Sequence, residues 1–162
     1  MGEMSFRMRK IRTHKKVKAK DIVLVVDDYR SLARTLEKHI GSAVDEVFTA
    51  GSVWEAQYIL DSVPVTHLLC DLNITVEDGS PLQSGLTLPP VEHQQSRLGF
   101  ELAPYWREQH PSIQKVVIYT GEEVRDLRPP SGVDALVCKT DIAEVLGALL
   151  NRQLGTCSCD EK

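Results

Sequence analysis

No apolar run in the sequence approaches the roughly 18 residues that a membrane-spanning helix requires, so no membrane insertion is expected. The N-terminus is basic, but no apolar stretch follows it. That excludes a secretory signal and leaves a cytoplasmic location as the expectation. Cysteine is sparse. Cys157 and Cys159 make a single C-x-C, and without a second ligand pair a structural zinc site is not expected there. Cys70 and Cys138 lie inside apolar runs and read as small core residues. There is no internal repeat, no low-complexity tract and no dedicated motif for a substrate pocket.

What is present fits one globular domain. The chain has 162 residues, of which 42% are hydrophobic, enough for a core. The net charge of −4 hides an asymmetry. Residues 1–20 carry eight cations (Arg7, Arg9, Lys10, Arg12, Lys15, Lys16, Lys18 and Lys20) against Glu3, while the remainder holds 11 basic and 22 acidic residues. Such an arm can meet an acidic surface or nucleic acid. It shows no clear aromatic or helical support for nucleic-acid binding, so a solvated, disordered leader is the expectation.

Five apolar runs punctuate the rest. Ile22-Val23-Leu24-Val25-Val26 is rich in β-branched residues, as in a strand buried on both faces. Val47–Thr49, His67–Cys70, Val116–Tyr119 and Val133–Cys138 follow as further strands. Helical stripes lie between them. Leu32, Leu36 and Ile40, with Ala33, predict one helix ending near Gly41. Val53, Ala56, Leu60 and Val63 predict a second, opened by the capping pair Ser52 and Glu55. Leu98–Gln109 predicts a third, in which Pro104 must either stand near the helix start or kink it. Residues 122–128 are expected to form a short helix stopped by Pro129 and Pro130. Asp141 and Glu144 cap a last one, lined by Ile142, Val145, Leu146, Leu149 and Leu150. The alternation implies an α/β fold, a flavodoxin-like, doubly wound, five-stranded parallel sheet of order 2-1-3-4-5, in short (βα)5.

Ligands of such sheets bind beyond the carboxyl ends of the strands. The polar residues that end the runs are Asp27 and Asp28, Asp71, Thr120 and Lys139. Each alone has a plain reading: helix cap, turn residue or solvated charge. Together they gather three carboxylates, a hydroxyl and an ammonium at one end of one sheet. Clustered carboxylates repel unless a cation compensates them, and hard oxygen donors in a polar site suit Mg²⁺.

These residues carry a resemblance. Leu24-Val25-Val26-Asp27-Asp28 resembles the acidic pair of response-regulator receiver domains, and Leu69-Cys70-Asp71-Leu72-Asn73 resembles their phosphoacceptor strand end. Val117-Ile118-Tyr119-Thr120-Gly121-Glu122 is similar to their Thr/Ser turn, and Val137-Cys138-Lys139 to their lysine. Gly99-Phe100-Glu101-Leu102-Ala103 resembles the start of their third helix. The resemblance spans about residues 21–153. It implies a phosphoprotein of two-component signal transduction, accepting a phosphoryl group on Asp71 from a sensor histidine kinase or a histidine phosphotransfer protein. It implies Mg²⁺ held by Asp28, Asp71 and the Asn73 carbonyl, with Asp27 acting directly or through water. Lys139 and Thr120 would then attend the phosphoryl oxygens. No separate substrate turnover is expected, so the chain is not expected to be an enzyme in the ordinary sense.

Three departures stand out. Thr140 occupies the place of the proline that usually follows the lysine, and Leu136 that of the aromatic switch residue. Gly99 lies 28 positions after Asp71, implying an inserted loop over residues 74–97, long for a compact domain. Residues 154–162 form a tail too short for an output module. The expectation is therefore a single-domain receiver that signals through an unidentified output protein, with a homodimer left open. Competing readings are a degenerate receiver that only binds proteins, a small hydrolase using Asp71 as nucleophile, and nucleic-acid binding through the arm.

Overall fold

The computed structural model describes residues 18–75 and 97–150. Five strands, β1 (Ile22–Val26), β2 (Glu46–Ala50), β3 (His67–Asp71), β4 (Lys115–Thr120) and β5 (Ala135–Cys138), form one sheet of order β2-β1-β3-β4-β5. All four pairings are parallel. The expected order and polarity of the sheet are therefore observed.

Alternation along the strands sorts side chains to two faces. Leu24, Val26, Leu68, Cys70, Val116 and Ile118 meet helices α2 (Val53–Ser62) and α3 (Gly99–Gln109) through Ala56, Leu60, Leu102 and Trp106. Val23, Val25, Leu69, Val117, Tyr119 and Val137 meet α1 (Arg30–Gly41) and α4 (Ile142–Leu150) through Ala33, Leu36, Ile40, Val145 and Leu149. Both faces are covered, which is why the central strands read as unbroken apolar runs. The predicted caps form: the Ser52 hydroxyl accepts from the Glu55 N–H at 3.2 Å, and the Asp141 carboxylate from the Glu144 N–H at 2.9 Å.

Two expectations are corrected. Residues 122–128 are not a helix; they run as bends and turns, so four helices stand among the described residues instead of five. The segment is only seven residues long, too short to hold a helix without strong packing. Glu122 and Glu123 are also drawn into ion pairs with Arg97 and Arg125. The idea that α3 begins near Pro104 also fails, because Pro104 sits inside a helix that starts at Gly99. The proline leaves the Phe100 carbonyl, four residues back, without its usual donor. Most of the basic arm (1–17), the inserted loop (76–96) and the C-terminal tail with Cys157 and Cys159 lie outside the described residues. No helix among the described residues is long and apolar enough to cross a membrane.

Candidate functional site

The site is built by strand parity. Val25 pairs with Leu69 and Val26 with Cys70, so Asp27 and Asp71 leave the sheet side by side on the α1/α4 face. Asp71 pairs with Tyr119, and Tyr119 with Val137, two residues before Lys139. Asp27, Asp71, Tyr119 and Lys139 thus converge because each is separated from its strand's core residue by two positions. Backbone bonds continue the sheet past the strand ends: Leu72 N–H donates to the Tyr119 carbonyl at 3.1 Å and Lys139 N–H to the Thr120 carbonyl at 2.8 Å.

Lys139 Nζ lies 2.7 Å from Asp71 Oδ2 and 3.0 Å from Asp27 Oδ2. It reaches them with Thr140 following it and with no cis peptide bond among the described residues. Asp27 is fully buried. Its Oδ1 accepts from the Tyr29 N–H at 2.7 Å, and its Oδ2 accepts from the Tyr119 hydroxyl at 2.5 Å. Asp71 is nearly buried, and its Oδ1 accepts from the Asn73 N–H at 3.1 Å. Asp28 is exposed and accepts from the Thr75 hydroxyl at 3.3 Å. One carboxylate oxygen from each of Asp27, Asp28 and Asp71 falls within 4.8 Å of the others. That is a compact set of hard, partly exposed donors, and it fits Mg²⁺ in a water-rich shell.

The electrostatics are those of a strained cluster. Burial pushes the Asp71 carboxyl up, and Asp27 adds to it, while the Lys139 hydrogen bond and charge pull it back. For Lys139, burial disfavours the ammonium, but the hydrogen bonds and charges of Asp71 and Asp27 outweigh it and raise the group. The lysine is thus held charged against a carboxylate whose ionised form is costly. Burial, followed by the charge and hydrogen bond of Asp27, pushes the Tyr119 phenol well up, so it donates as a neutral hydroxyl.

Thr120 is buried at the end of β4, where its Oγ1 accepts from the Glu122 N–H at 3.1 Å. Its hydroxyl is thus engaged by its own loop. The Asn73 side chain is gripped at both ends: Nδ2 donates to Glu122 at 2.6 Å, and Oδ1 accepts from the Arg97 N–H at 3.2 Å. Arg97 closes the triangle through Nε and Nη2 to Glu122 Oε2, at 3.2 and 2.8 Å. Both edges of the inserted segment therefore meet the site rim, Thr75 at Asp28 and Arg97 at Asn73.

All six residues singled out from the sequence stand at this end of the sheet. Tyr119, Glu122 and Arg97 were not singled out. Tyr119 follows Val116, Val117 and Ile118 and reads in the sequence as one more core residue. Arg97 follows a stretch without period and gave no signal.

No protein-family model matches the chain, and no curated protein does. Solved structures do match. A response regulator from Burkholderia pseudomallei, bearing a phosphorylated aspartic acid, a calcium ion and citrate, aligns with a TM-score of 0.56 at 20% identity, over 80% of this chain and 66% of that one. The signal receiver domain of an HD domain-containing protein from Pseudomonas fluorescens Pf-5 gives 0.59 at 19%, over 82% and 94%. The fold is that of a response-regulator receiver domain. The chemotaxis response regulator CheY4 of Vibrio cholerae shares it, with a TM-score of 0.55 at 19% identity over 79% of this chain and 97% of that one. The receiver fold brings its strand ends together in the order that the sequence motifs require.

Proposed function

We propose that the chain is a phosphoacceptor receiver of two-component signalling, phosphorylated on Asp71 with Mg²⁺ beside it. The observation that carries this is the contact of Lys139 Nζ with Asp71 Oδ2 at 2.7 Å, within a cluster of three carboxylates. Asp71 Oδ attacks the phosphorus of a phosphohistidine; the P–O bond forms as the P–N bond breaks, and the imidazole leaves with the electron pair and takes a proton from solvent. Such a transfer depends on positioning and charge compensation. Lys139 lies against the accepting oxygen and compensates the incoming charge. The Asn73 N–H fixes the other carboxylate oxygen. Thr120 accepts from the Glu122 N–H and keeps its own proton to donate to a phosphoryl oxygen, which ties the loop after β4 to the phosphorylated state.

Asp28, Asp71 and the Asn73 carbonyl would hold the metal. Asp27, already engaged through both oxygens, supports it from behind. Mg²⁺, when bound, supplies positive charge to the phosphoryl oxygens. A calcium ion accompanies the phosphorylated aspartic acid in the Burkholderia regulator, and Mg²⁺ with a beryllium fluoride is present in the regulator TrrA of Thermotoga maritima. The partners on this reading are a sensor histidine kinase or a histidine phosphotransfer protein, and an output protein, in the cytoplasm. Residues 21–153 are the receiver, 1–20 a basic arm, 74–97 an insertion and 154–162 a tail.

A receiver that binds partners without carrying phosphate is the second reading. What favours it is the saturation of Asp27 by Tyr29, Tyr119 and Lys139. Incubation with acetyl phosphate, with and without Mg²⁺, followed by intact-mass measurement, separates the two. A Mg²⁺-dependent gain of one phosphoryl group, absent in Asp71→Asn, supports the phosphoacceptor. No gain in the wild type supports the binding module.

A further inference from the structure

Lys139 has the longest and most flexible side chain of the cluster. A lysine is a flexible stem with a point charge, and nothing in its own backbone fixes where that charge rests. Here the ammonium has two acceptors, Asp71 Oδ2 at 2.7 Å and Asp27 Oδ2 at 3.0 Å. Had Asp27 no other donor on Oδ2, a fully buried carboxylate would draw the ammonium to itself, because an unpaired buried charge is costly. Tyr119 supplies that other donor. Its hydroxyl bonds the same Asp27 Oδ2 at 2.5 Å. Its ring does a second thing: the Lys139 ammonium stands 4.9 Å from the ring centroid, within the range at which a cation is attracted to an aromatic face. Tyr119 is itself fully buried between Val117 and Val137 on the α1/α4 face, so ring and hydroxyl are fixed by packing.

We propose that Tyr119 is a positioning residue of the phosphoryl-transfer site: its hydroxyl satisfies Asp27 and its ring seats the ammonium, so that Lys139 is directed to Asp71. The inference rests on the phosphoacceptor reading and deepens it. It also accounts for a lysine that finds its target although Thr140 stands where related domains resemble one another in a proline. Phe at position 119 would fill the same fully buried volume, but only tyrosine brings a hydroxyl to Asp27 as well as a ring to the lysine.

Two variants divide the roles. Tyr119→Phe keeps the ring and the volume and removes the hydroxyl; Tyr119→Leu removes both. The initial rate of labelling by acetyl phosphate at saturating Mg²⁺ should fall about fivefold to tenfold in Tyr119→Phe, the scale of one typical net hydrogen bond. The half-saturating Mg²⁺ concentration should move less than about twofold, since Asp28 and Asp71 are untouched by the change. In an Asp27→Asn background, Tyr119→Phe should have no further effect, because the residue through which it acts has lost its charge. A general loss of packing would lower the rate equally in both backgrounds. Equal rates in wild type and Tyr119→Phe, or an additive loss on top of Asp27→Asn, overturn the proposal.

A measurement on the unmodified protein stands beside these. The Lys139 ε-methylene protons should show an upfield ring-current shift in the wild type, retained in Tyr119→Phe and lost in Tyr119→Leu. Shifts typical of a free lysine in the folded wild type overturn the proposal even where a variant fails to fold. A wild type that takes no label defeats the phosphoacceptor reading, and the Lys139 shift then decides by itself whether Tyr119 holds the lysine.

Discussion

Gly99 rests on the backbone of Asp71. A Cβ at position 99 would overlap the Asp71 carbonyl oxygen and stand 2.9 Å from Leu72 Cα, while the Gly99 N–H donates to the Leu72 carbonyl at 2.9 Å. The start of α3 is thereby seated on the strand end that carries the Asp71 carboxylate. Both obstacles are backbone, so they cannot swing aside. Gly99→Ala should cost about 1–3 kcal/mol, as overpacking does, and lower the melting temperature by about 2–4 °C per kcal/mol. Thermal denaturation checks this. A melting temperature equal to the wild type's would mean that α3 sits less tightly on Asp71.

The Arg97–Glu122–Asn73 triangle has a pH signature. The Asn73 hydrogen bond, then those of Arg97, hold the Glu122 carboxyl below its ordinary value of 4.5. An acid lowered on folding stabilises the fold above its unfolded pKa, and that contribution disappears as pH falls through the folded value. The window therefore lies below 4.5. Arg97→Met should bring the Glu122 carboxyl up towards 4.5, read from its side-chain carboxyl resonance. Glu122 is partly exposed, and the effect on global stability should be small. An unchanged titration in Arg97→Met would show that Asn73 alone holds the group.

Asp71 behaves oppositely. Its carboxyl is raised, chiefly by burial. Such a group favours the fold below its unfolded pKa, and loses that contribution as pH rises through the raised folded value. Once ionised, the buried Asp71 is a burden on the metal-free protein. Asp71→Asn should therefore melt higher than the wild type without Mg²⁺. Added Mg²⁺ should stabilise the wild type, by mass action on the folded form, and leave Asp71→Asn nearly unmoved. A wild type that melts identically with and without millimolar Mg²⁺ would contradict a metal site there.

Asp28 offers the most accessible carboxylate of the three, and among the described residues only the Thr75 hydroxyl bonds it. Asp28→Ala should abolish the response of neighbouring amide resonances to Mg²⁺ while leaving the melting temperature within about 0.5 kcal/mol equivalents of the wild type, as for other exposed substitutions. Retention of the Mg²⁺ response would shift the ligand role to Asp27.

Much of this was legible because the fold writes its site at strand ends. Asp27 (with Asp28 after it), Asp71, Thr120 and Lys139 each follow an apolar run directly, and sheet order then brings them together. What the sequence hid were contacts between segments far apart. Tyr119 reads as one more core residue until the register sets it level with Asp71. Arg97 lies 25 positions before Glu122, a pairing that no periodicity announces. The expected helix over 122–128 failed because Glu122 is drawn to Arg97, outside the segment, and the segment's length gave too little packing to compete.

The phosphoacceptor claim is tested most directly by trapping. After treatment with acetyl phosphate and Mg²⁺, borohydride reduces an acyl phosphate on aspartate to homoserine, and peptide mapping then locates it. Homoserine at position 71, and at neither 27 nor 28, is the result the site geometry predicts. Reduction at Asp27 or Asp28, or at no residue in a protein that remains folded, would contradict it.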